Sequence, residues 1–339
     1  MRLEMAALGT PLRLLASVKP DNFTLAIVAA VIIASLFPAV GAAGDILRYV
    51  TIFAITLLFF LHGARLSREA ALAGALHWRL HIIVLATTFL LFPILGLVLR
   101  HTLGSILPDS LLTGLLFLCL LPSTVQSSIA FTSIAHGNVA AAVCSASLSN
   151  LLGIFITPAL VALLMNLRGG VSFHAVVDII LQLLAPFLIG HLLRPWIGEF
   201  VARHRYALGY VDRGSILLVV YLAFSEAVAN GLWRALGAAD LVKLLIVCAI
   251  LLAVVLAATA FIARRLGFPR ADEIVIVFCG SKKSLASGVP MAGVLFPLAQ
   301  VGTIVLPLML FHQIQLMVCA ALARRYAAGD PAAKAQAAE

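Results

Sequence analysis

The chain has 339 residues, of which 63% are hydrophobic and 11% are charged, and its formal net charge is +9 at pH 7. An ordinary soluble protein carries about 45–50% apolar and about 25% charged residues, so this composition excludes one. A spanning helix needs about 20 apolar residues, which leaves room for about ten spans and for no sizeable soluble domain. We attribute the basic residues to the sidedness of membrane loops, and we expect no nucleic-acid partner.

The apolar segments are unbroken runs with scattered Gly and Ala, which is typical of membrane helices rather than of membrane strands. We predict ten spans, at residues 23–40, 46–61, 80–99, 111–135, 139–167, 173–193, 208–230, 241–262, 274–295 and 301–322. Residues 1–21 are expected to form a basic cytoplasmic lead rather than a signal peptide. Residues 22–324 then form the transmembrane domain, and residues 325–339 form a cytoplasmic tail.

The basic residues test this topology, because cytoplasmic loops and tails hold most Lys and Arg. Of the 23 Lys and Arg residues, 16 fall in the segments assigned to the cytoplasm and five in the outer ones. The other two, Lys282 and Lys283, lie inside span 9. This distribution predicts an even number of spans in a bacterial inner membrane, with both termini in the cytoplasm.

Spans 4 and 9 are each interrupted by small and polar residues. Pro122 interrupts span 4, and Gly280 and Pro290 interrupt span 9. A shift of 156 residues superposes the string Ser-Ile-Ala at 128–130 on Ser-Leu-Ala at 284–286. Spans 1–5 and 6–10 are therefore predicted to be repeats, which lie in opposite orientations because five is an odd number.

Discontinuous helices at matching positions of inverted repeats are typical of secondary transporters, whose substrate and ion sites form at the unwound segments. We predict that span 4 is unwound around residues 123–127 and span 9 around residues 280–284. We also expect these two segments to cross in the centre of an all-α membrane protein.

Four strings carry a resemblance to a known family: FFLHGARL in span 2, TTFLLFP in span 3, LPSTVQSSIAFTSIAHGN in span 4 and FCGSKKSLASGVPM in span 9. The chain resembles the bile acid:sodium symporter family, specifically its bacterial branch of orphan transporters, from about residue 23 to about residue 322. The resemblance implies a core domain of spans 3–5 and 8–10 and a panel of spans 1, 2, 6 and 7. It also implies transport of organic anions with sodium, by alternating access.

The resemblance further implies a sodium site of side-chain oxygens in spans 4 and 5, at Ser127, Ser128, Ser145, Ser149 and Asn150. Oxygen ligands suit hard cations of this kind. Thr88 stands where the family has a Gln in span 3. Span 9 departs from the pattern, with Lys282 and Lys283 in place of Gln-Asn and Phe278 in place of a Glu.

Two lysines at mid-membrane depth are costly unless they are paired, and such residues by default mark a transport pathway. About eight apolar or small residues flank them on each side, too many for easy escape to the interface. A lysine ammonium can sit where a sodium ion would, and a desolvated lysine can also exchange protons. Lys282 or Lys283 could therefore couple transport to protons or anchor an anionic substrate, and the span 4 and 5 oxygens could still hold sodium.

Acidic and amide residues within other spans complete the candidate set. Asp178 and Glu226 belong to the panel and either face the pathway or lie at the membrane interface. For His312, Gln313 and Gln315 we expect interhelical hydrogen bonds. The histidines at span ends, His81 among them, are expected to be interface residues. The complete predicted pathway comprises Lys282, Lys283, Ser281, Ser284, Ser123, Thr124, Gln126, Ser127, Ser128, Ser145, Ser149, Asn150, Thr88, Gln313, Glu226 and Asp178.

Two alternative functions compete with a transporter. One is a channel or an ungated facilitator. The other is an intramembrane hydrolase that pairs Ser281 or Ser284 with a lysine, but the sequence has neither GxSxG nor HExxH and no recognisable oxyanion hole. We therefore expect no enzyme and no catalytic residue, no cofactor other than Na⁺ as a coupling ion, and a small anionic substrate. The sequence leaves the substrate and the oligomeric state open.

Overall fold

The computed structural model describes residues 22–65, 77–165 and 173–329, and it leaves the side chains of residues 173–182 undescribed. Within these ranges every regular element is helical. In chain order the elements are α1 Asn22–Leu36, α2 Ala42–Arg65, α3 Trp78–Ala86, a π-helical turn Thr87–Leu91, α4 Phe92–Thr102, α5 Asp109–Leu120, α6 Gln126–Ile134, α7 Val139–Leu164, α8 Phe173–Arg203, α9 Arg205–Ala229, α10 Leu232–Ala235, α11 Ala238–Arg265, α12 Arg270–Gly280, α13 Leu285–Leu295 and α14 Leu298–Ala328.

These helices have the length and composition of membrane spans. In the described part of the chain, seven segments are long and apolar enough to cross a bilayer, and α1 and α5 are shorter apolar helices. Each of the ten predicted spans overlaps one helix or a consecutive pair of helices. The predicted all-helical membrane fold is therefore confirmed, whereas the ten-span inverted arrangement stays a prediction. Both chain termini and the side chain of Asp178 lie outside the described residues.

The predicted interruptions at Pro122 and Gly280 are present, whereas Pro290 lies inside the continuous helix α13 and does not interrupt span 9. In span 4, α5 ends at Leu120 and α6 begins at Gln126; in span 9, α12 ends at Gly280 and α13 begins at Leu285. The break in span 4 lies slightly earlier than predicted, because a residue before proline is driven out of the helical region. Leu121, which precedes Pro122, accordingly has an extended conformation with φ −77° and ψ 156°.

The second half of span 9 begins with a conventional cap. Ser284 has φ −82° and ψ 112°, and its Oγ accepts a hydrogen bond from the backbone N–H of Ser287 at 3.1 Å. This satisfies one of the free donors at the start of α13. Of the seven candidate spans in the described chain, the broken pair α12–α13 is the most deeply buried: 94% of its apolar 18-residue stretch lies inside the protein. The side chains at the span 9 break, Lys282 and Lys283 among them, therefore lie in the interior of the protein.

Glycines allow α2 and α8 to pack backbone to backbone. A Cβ atom added at Gly63 would lie 1.9 Å from the carbonyl oxygen of Phe187, and one added at Gly190 would lie 2.0 Å from that of Phe60. Small residues at such crossings are the main device for packing membrane helices closely. The two glycines therefore fix the contact between spans 2 and 6.

Candidate functional site

The backbone of the span 4 break is hydrogen-bonded by side chains of the next helix, α7. Thr157 donates to the carbonyl of Leu120 at 2.8 Å, and Ser149 Oγ accepts from the N–H of Ser123 at 3.1 Å. Asn150 Nδ2 donates to the carbonyl of Ser123 at 2.7 Å. Buried backbone groups outside a helix need such partners. The polar residues of span 5 therefore stabilise the unwound segment of span 4.

The break in span 9 has the same design, with its partner on α14. The N–H of Lys283 donates to Gln315 Oε1 at 3.0 Å, and Gln315 Nε2 donates back to the carbonyl of Lys283 at 3.0 Å. Gln315 Nε2 also lies 2.8 Å from Nδ1 of His312. In each half of the chain, the span that follows the broken span (α7 or α14) supplies hydrogen-bonding partners for the break.

The two breaks also contact each other directly. The N–H of Ser284 donates to the carbonyl of Pro122 at 2.9 Å, and the hydroxyl of Ser128 donates to the carbonyl of Phe278 at 3.0 Å. A shift of 156 residues converts Ser128 into Ser284 and Pro122 into Phe278, so it converts one residue pair into the other, although the donor is a backbone N–H in one pair and a hydroxyl in the other. Contacts that exchange in this way are expected around a two-fold axis.

A third contact lies at the centre of this arrangement. The hydroxyl of Ser123 donates to the carbonyl of Cys279, and these two residues are themselves 156 positions apart. A residue that contacts its own equivalent lies close to a two-fold axis. Ser123 and Cys279 therefore mark the point where the two breaks meet.

Lys283 places its ammonium in a cage of backbone carbonyls. Nζ donates to the carbonyl oxygens of Thr88 at 2.8 Å, Cys119 at 3.0 Å and Leu121 at 2.7 Å, and it lies 4.1 Å from the ring centroid of Phe92. The side chain is fully buried. All three ammonium hydrogens thus have acceptors, which is the full hydrogen-bonding capacity of a lysine.

The local backbone explains why the carbonyl of Thr88 is available. In the π-helical turn Thr87–Leu91 the N–H of Phe92 donates to Thr87, five residues back. The next residue in that register, Pro93, has no N–H, so it cannot donate to Thr88. π-turns of this kind often occur at functional sites. The turn therefore presents one carbonyl of span 3 to the lysine.

The other two carbonyls of the cage lie at the C-terminal end of α5. A helix end carries unpaired carbonyls and a partial negative charge of about half an electron. The N–H of Ser123, which would bond Cys119 in a continuous helix, donates to Ser149 instead. The break thus provides both the acceptors and the compensating charge for Lys283.

Lys282 has a different environment. Its Nζ donates to one carbonyl oxygen, that of Ser127 at 2.9 Å, and lies 3.9 Å and 5.3 Å from the ring centroids of Phe131 and Phe278. Aromatic faces attract a desolvated ammonium. This arrangement gives Phe278, which replaces the family's Glu, a physical part in holding the lysine.

Neither lysine forms an ion pair with a carboxylate within the described ranges. Both side chains are fully buried. Within the described part of the chain, the partners of the two lysine side chains are backbone carbonyls, a helix end and aromatic rings.

The five oxygens predicted for sodium are divided among different protein partners. Ser145 Oγ bonds Nδ1 of His81 at 2.7 Å, and Ser149 bonds the break as described. Asn150 joins the break to the second half of span 9, where its Oδ1 accepts from Ser287 at 2.8 Å. Ser127 and Ser128 both bond the hydroxyl of Thr124, at 2.8 and 2.9 Å. These residues tie the breaks together, and a shared metal site remains a prediction.

Several predicted pathway residues lie away from this centre or have separate partners. Gln313 donates to the hydroxyl of Thr24 on α1 at 2.9 Å, and Ser281 donates to the carbonyl of Val277 within its own helix. Gln126 is exposed on α6, and Glu226 is partly buried on α9. They do not join the hydrogen-bonded network around the lysines.

Other residues of the site escaped the sequence analysis. His81 is buried and bonds Ser145, whereas it was expected to be an interface residue. Ser287 bonds Asn150, and Phe92 and Phe131 face the two ammonium groups. Gln315, in contrast, was expected to form interhelical hydrogen bonds and does bond the backbone of Lys283. The aromatic partners gave no signal in an apolar sequence, but a glutamine inside span 10 was itself a sign of a buried polar partner.

The exchange of hydrogen bonds between Gln315 and Lys283 leads to a prediction. Gln315→Leu leaves one buried N–H and one buried C=O without partners, so we expect a loss of about 2 kcal/mol or more in stability. Gln313→Leu, on the same helix, removes a bond to a single hydroxyl and should cost much less. Thermal unfolding of both purified variants measures the difference, and equal effects would contradict the assigned role of Gln315.

The fold and the two helix breaks in contact are features of secondary transporters. A family model described as the SBF-like CPA transporter family (DUF4137) matches residues 21–328. The chain therefore belongs to the SBF-like CPA transporter family, as the motifs in spans 2, 3, 4 and 9 predicted. It is an integral membrane transporter and not an enzyme.

The chain is similar over most of its length to bacterial and vertebrate relatives, two of which are named as transporters. The chain is 58% identical over 310 residues to "Uncharacterized protein PA2026" of Pseudomonas aeruginosa, covering 91% of this chain and 93% of that protein. It is 57% identical over 307 residues to "Putative symporter YfeH" of Escherichia coli, covering 90% and 92%. It is also 29% identical over 314 residues to "Sodium/bile acid cotransporter 7" of Rattus norvegicus, covering 91% and 92%.

Proposed function

We propose that the protein is a secondary active transporter that carries a small organic anion across the bacterial inner membrane by alternating access, coupled to a sodium or proton gradient. The observation that carries this proposal is the pair of contacting helix breaks with two buried lysines and no carboxylate partner in the described chain. Unwound segments near mid-membrane are where transporters of this architecture bind substrates and ions.

Under this proposal the chain forms ten spans in two inverted five-helix repeats. Spans 3–5 and 8–10 make the core, in which spans 4 and 9 cross, and spans 1, 2, 6 and 7 make the panel. The exchange of contacts under the shift of 156 residues supports the two-fold relation. The packing of α2 on α8 and of α9 on α1 supports it too, because the repeat converts the pair of spans 2 and 6 into the pair of spans 7 and 1.

The charge of the site favours an anionic substrate. Positive charge that no nearby carboxylate compensates creates a favourable potential in a low-dielectric interior. The N-termini of α6 and α13, which begin at the two breaks, add partial positive charge. We assign the anion contact to Lys282, which has one oxygen partner, and to the neighbouring hydroxyls of Thr124 and Ser127.

Movement between core and panel is part of this proposal. Lys282 is fully buried among residues of the core spans, so under this proposal the substrate reaches it only after a conformational change. Glu226, on the panel helix α9, is assigned to the pathway wall, and Asp178 stays a pathway candidate on the sequence alone because its side chain lies outside the described residues. A carrier of this kind binds its substrate alternately from the two sides, whereas a channel stays open to both.

The carrier mechanism is tested with purified protein. A binding screen of anionic metabolites, with and without sodium at two pH values, identifies the substrate. Uptake of that anion into proteoliposomes is then measured as a function of its concentration, with and without unlabelled anion inside the vesicles. We expect saturation and stimulation by internal anion, which is counterflow. Uptake that rises linearly and ignores internal anion would establish a channel instead.

The membrane orientation is tested separately. The excess of basic residues in the assigned cytoplasmic segments predicts that both chain ends face the cytoplasm. We expect a cysteine introduced at Ala338 to resist a membrane-impermeant thiol reagent in intact cells and to react after the membrane is opened. The native cysteines are all buried among the described residues, so the parent protein provides the background. Labelling of Ala338→Cys in intact cells would contradict the orientation.

A further inference from the structure

The two adjacent lysines differ in the number of oxygens that surround them. Three carbonyl oxygens, of Thr88, Cys119 and Leu121, converge on Lys283 Nζ within 2.7–3.0 Å. A single carbonyl oxygen, that of Ser127, contacts Lys282 Nζ. Rings of backbone carbonyls are the groups with which membrane proteins replace the hydration shell of monovalent cations. The surroundings of Lys283 thus resemble an ion site, and those of Lys282 resemble an aromatic box.

The carbonyl cage joins three segments that a transporter must keep in register. Thr88 lies in the π-turn of span 3, Cys119 and Leu121 lie at the break of span 4, and Lys283 itself lies at the break of span 9. A cation at this point neutralises the partial negative charge at the end of α5 and connects the three segments. Without a cation there, three buried carbonyls would face one another without donors.

We propose that Lys283 is a resident cation: its ammonium occupies a carbonyl site that would otherwise bind a monovalent metal ion, and it holds the breaks of spans 4 and 9 together without one. The assignment deepens the proposed function, because it specifies which lysine is structural and which contacts the anion.

The test measures thermal unfolding, so it can fail independently of any transport result. Purified protein is heated in chloride salts of choline, sodium or potassium at one ionic strength. The cage of the wild type already holds the Lys283 ammonium, so sodium and potassium should raise the unfolding temperature of the wild type less than that of Lys283→Ala. An equal rise in both proteins would overturn the assignment.

Lys283→Ala converts the cage into an empty set of carbonyls. In choline this variant should unfold at a lower temperature than the wild type. Sodium or potassium should restore about 2–5 °C, because the metal ion then binds the folded state only. Propylammonium supplies the atoms that the substitution removes and should act in the same way, whereas uncharged 1-propanol should not. A destabilised Lys283→Ala that responds to none of the three cations would overturn the assignment.

Lys282→Ala is the matched control, because it removes the same atoms from the adjacent residue. Its vacated space offers one carbonyl oxygen and two aromatic rings, too few oxygens for a metal ion, so neither sodium nor potassium should stabilise it. An equal response of both variants would overturn the assignment. If Lys283→Ala cannot be purified in choline, purification in potassium chloride and the variant Lys283→Ser provide the same comparison with the wild type.

Discussion

Lys282→Met is expected to reduce anion uptake into proteoliposomes by about tenfold or more, because it removes the charged group assigned to the substrate. Hydrogen bonds to a charged group are worth about 1.5–3 kcal/mol, and 1.4 kcal/mol corresponds to a factor of ten in binding. The methionine keeps most of the side-chain volume and remains compatible with Phe131 and Phe278, which face the ammonium at present. The loss should therefore appear in transport rather than in folding.

Lys243→Met provides the matched control for this substitution. Lys243 is 45% exposed at the start of α11, where it contacts Asp240 and the carbonyl of Ile106. Exposed ion pairs contribute about 0–1 kcal/mol, so this variant should transport the anion at the wild-type rate. If Lys282→Met retained full uptake in vesicles in which the control is also active, the assignment of Lys282 to the substrate would be wrong.

The second large effect is expected at the crossing of α2 and α8. Gly63→Ala and Gly190→Ala each place a methyl group about 2 Å from a backbone carbonyl of the facing helix, so the helices must separate. Overpacking costs about 1–3 kcal/mol where side chains can shift, and more is expected here because the obstacle is backbone. We expect a lower unfolding temperature and a smaller yield of folded protein for both variants.

Gly214→Ala distinguishes this effect from a general change of glycine in a helix. Gly214 lies within α9, and an added Cβ there would have nothing within 4 Å. Ala is preferred to Gly in a helix by about 0.5–1 kcal/mol, so this variant should be as stable as the wild type or slightly more stable. Equal unfolding temperatures for the variants at positions 63, 190 and 214 would show that the close packing of α2 and α8 is not required.

The helix breaks were predictable because they depend on local chemistry. Pro122 removes a backbone donor and restricts the residue before it, and the polar residues that follow cannot remain unpaired in an apolar environment. The same reasoning identified Lys282 and Lys283 as central, since charged residues in mid-span are costly. The family resemblance selected Ser149 and Asn150 of span 5 as sodium ligands; both hydrogen-bond the backbone of the break, and the sodium site stays a prediction.

The partners of the lysines were not predictable, because they depend on tertiary structure. The π-turn that presents Thr88 forms inside an apolar run, and its only sequence sign is Pro93. Thr88 was selected for its side chain, yet its hydroxyl bonds Val84 and its carbonyl bonds Lys283. His81 was assigned to an interface because it lies near a span end, but α3 packs against α7 and buries it beside Ser145.

The division of labour between the lysines follows from the same contacts. Lys283 has three carbonyl acceptors from spans 3 and 4, so replacing it affects the assembly of the core. Lys282 has one carbonyl and two aromatic rings, so its ammonium can exchange this carbonyl for an incoming anion at lower cost. Under our proposal, the two adjacent positions thus have separate roles, Lys283 in structure and Lys282 in substrate binding.

The central claim is that the cationic charge at the helix breaks belongs to the protein itself and that transport proceeds without sodium. Uptake of the anion is measured in proteoliposomes under an inward sodium gradient, and then under an inward proton gradient with choline replacing sodium. We expect uptake to persist in choline, to respond strongly to the proton gradient, and to be lost in Lys282→Ala and Lys283→Ala. Strong stimulation by sodium alone, with both lysine variants still active, would contradict the claim.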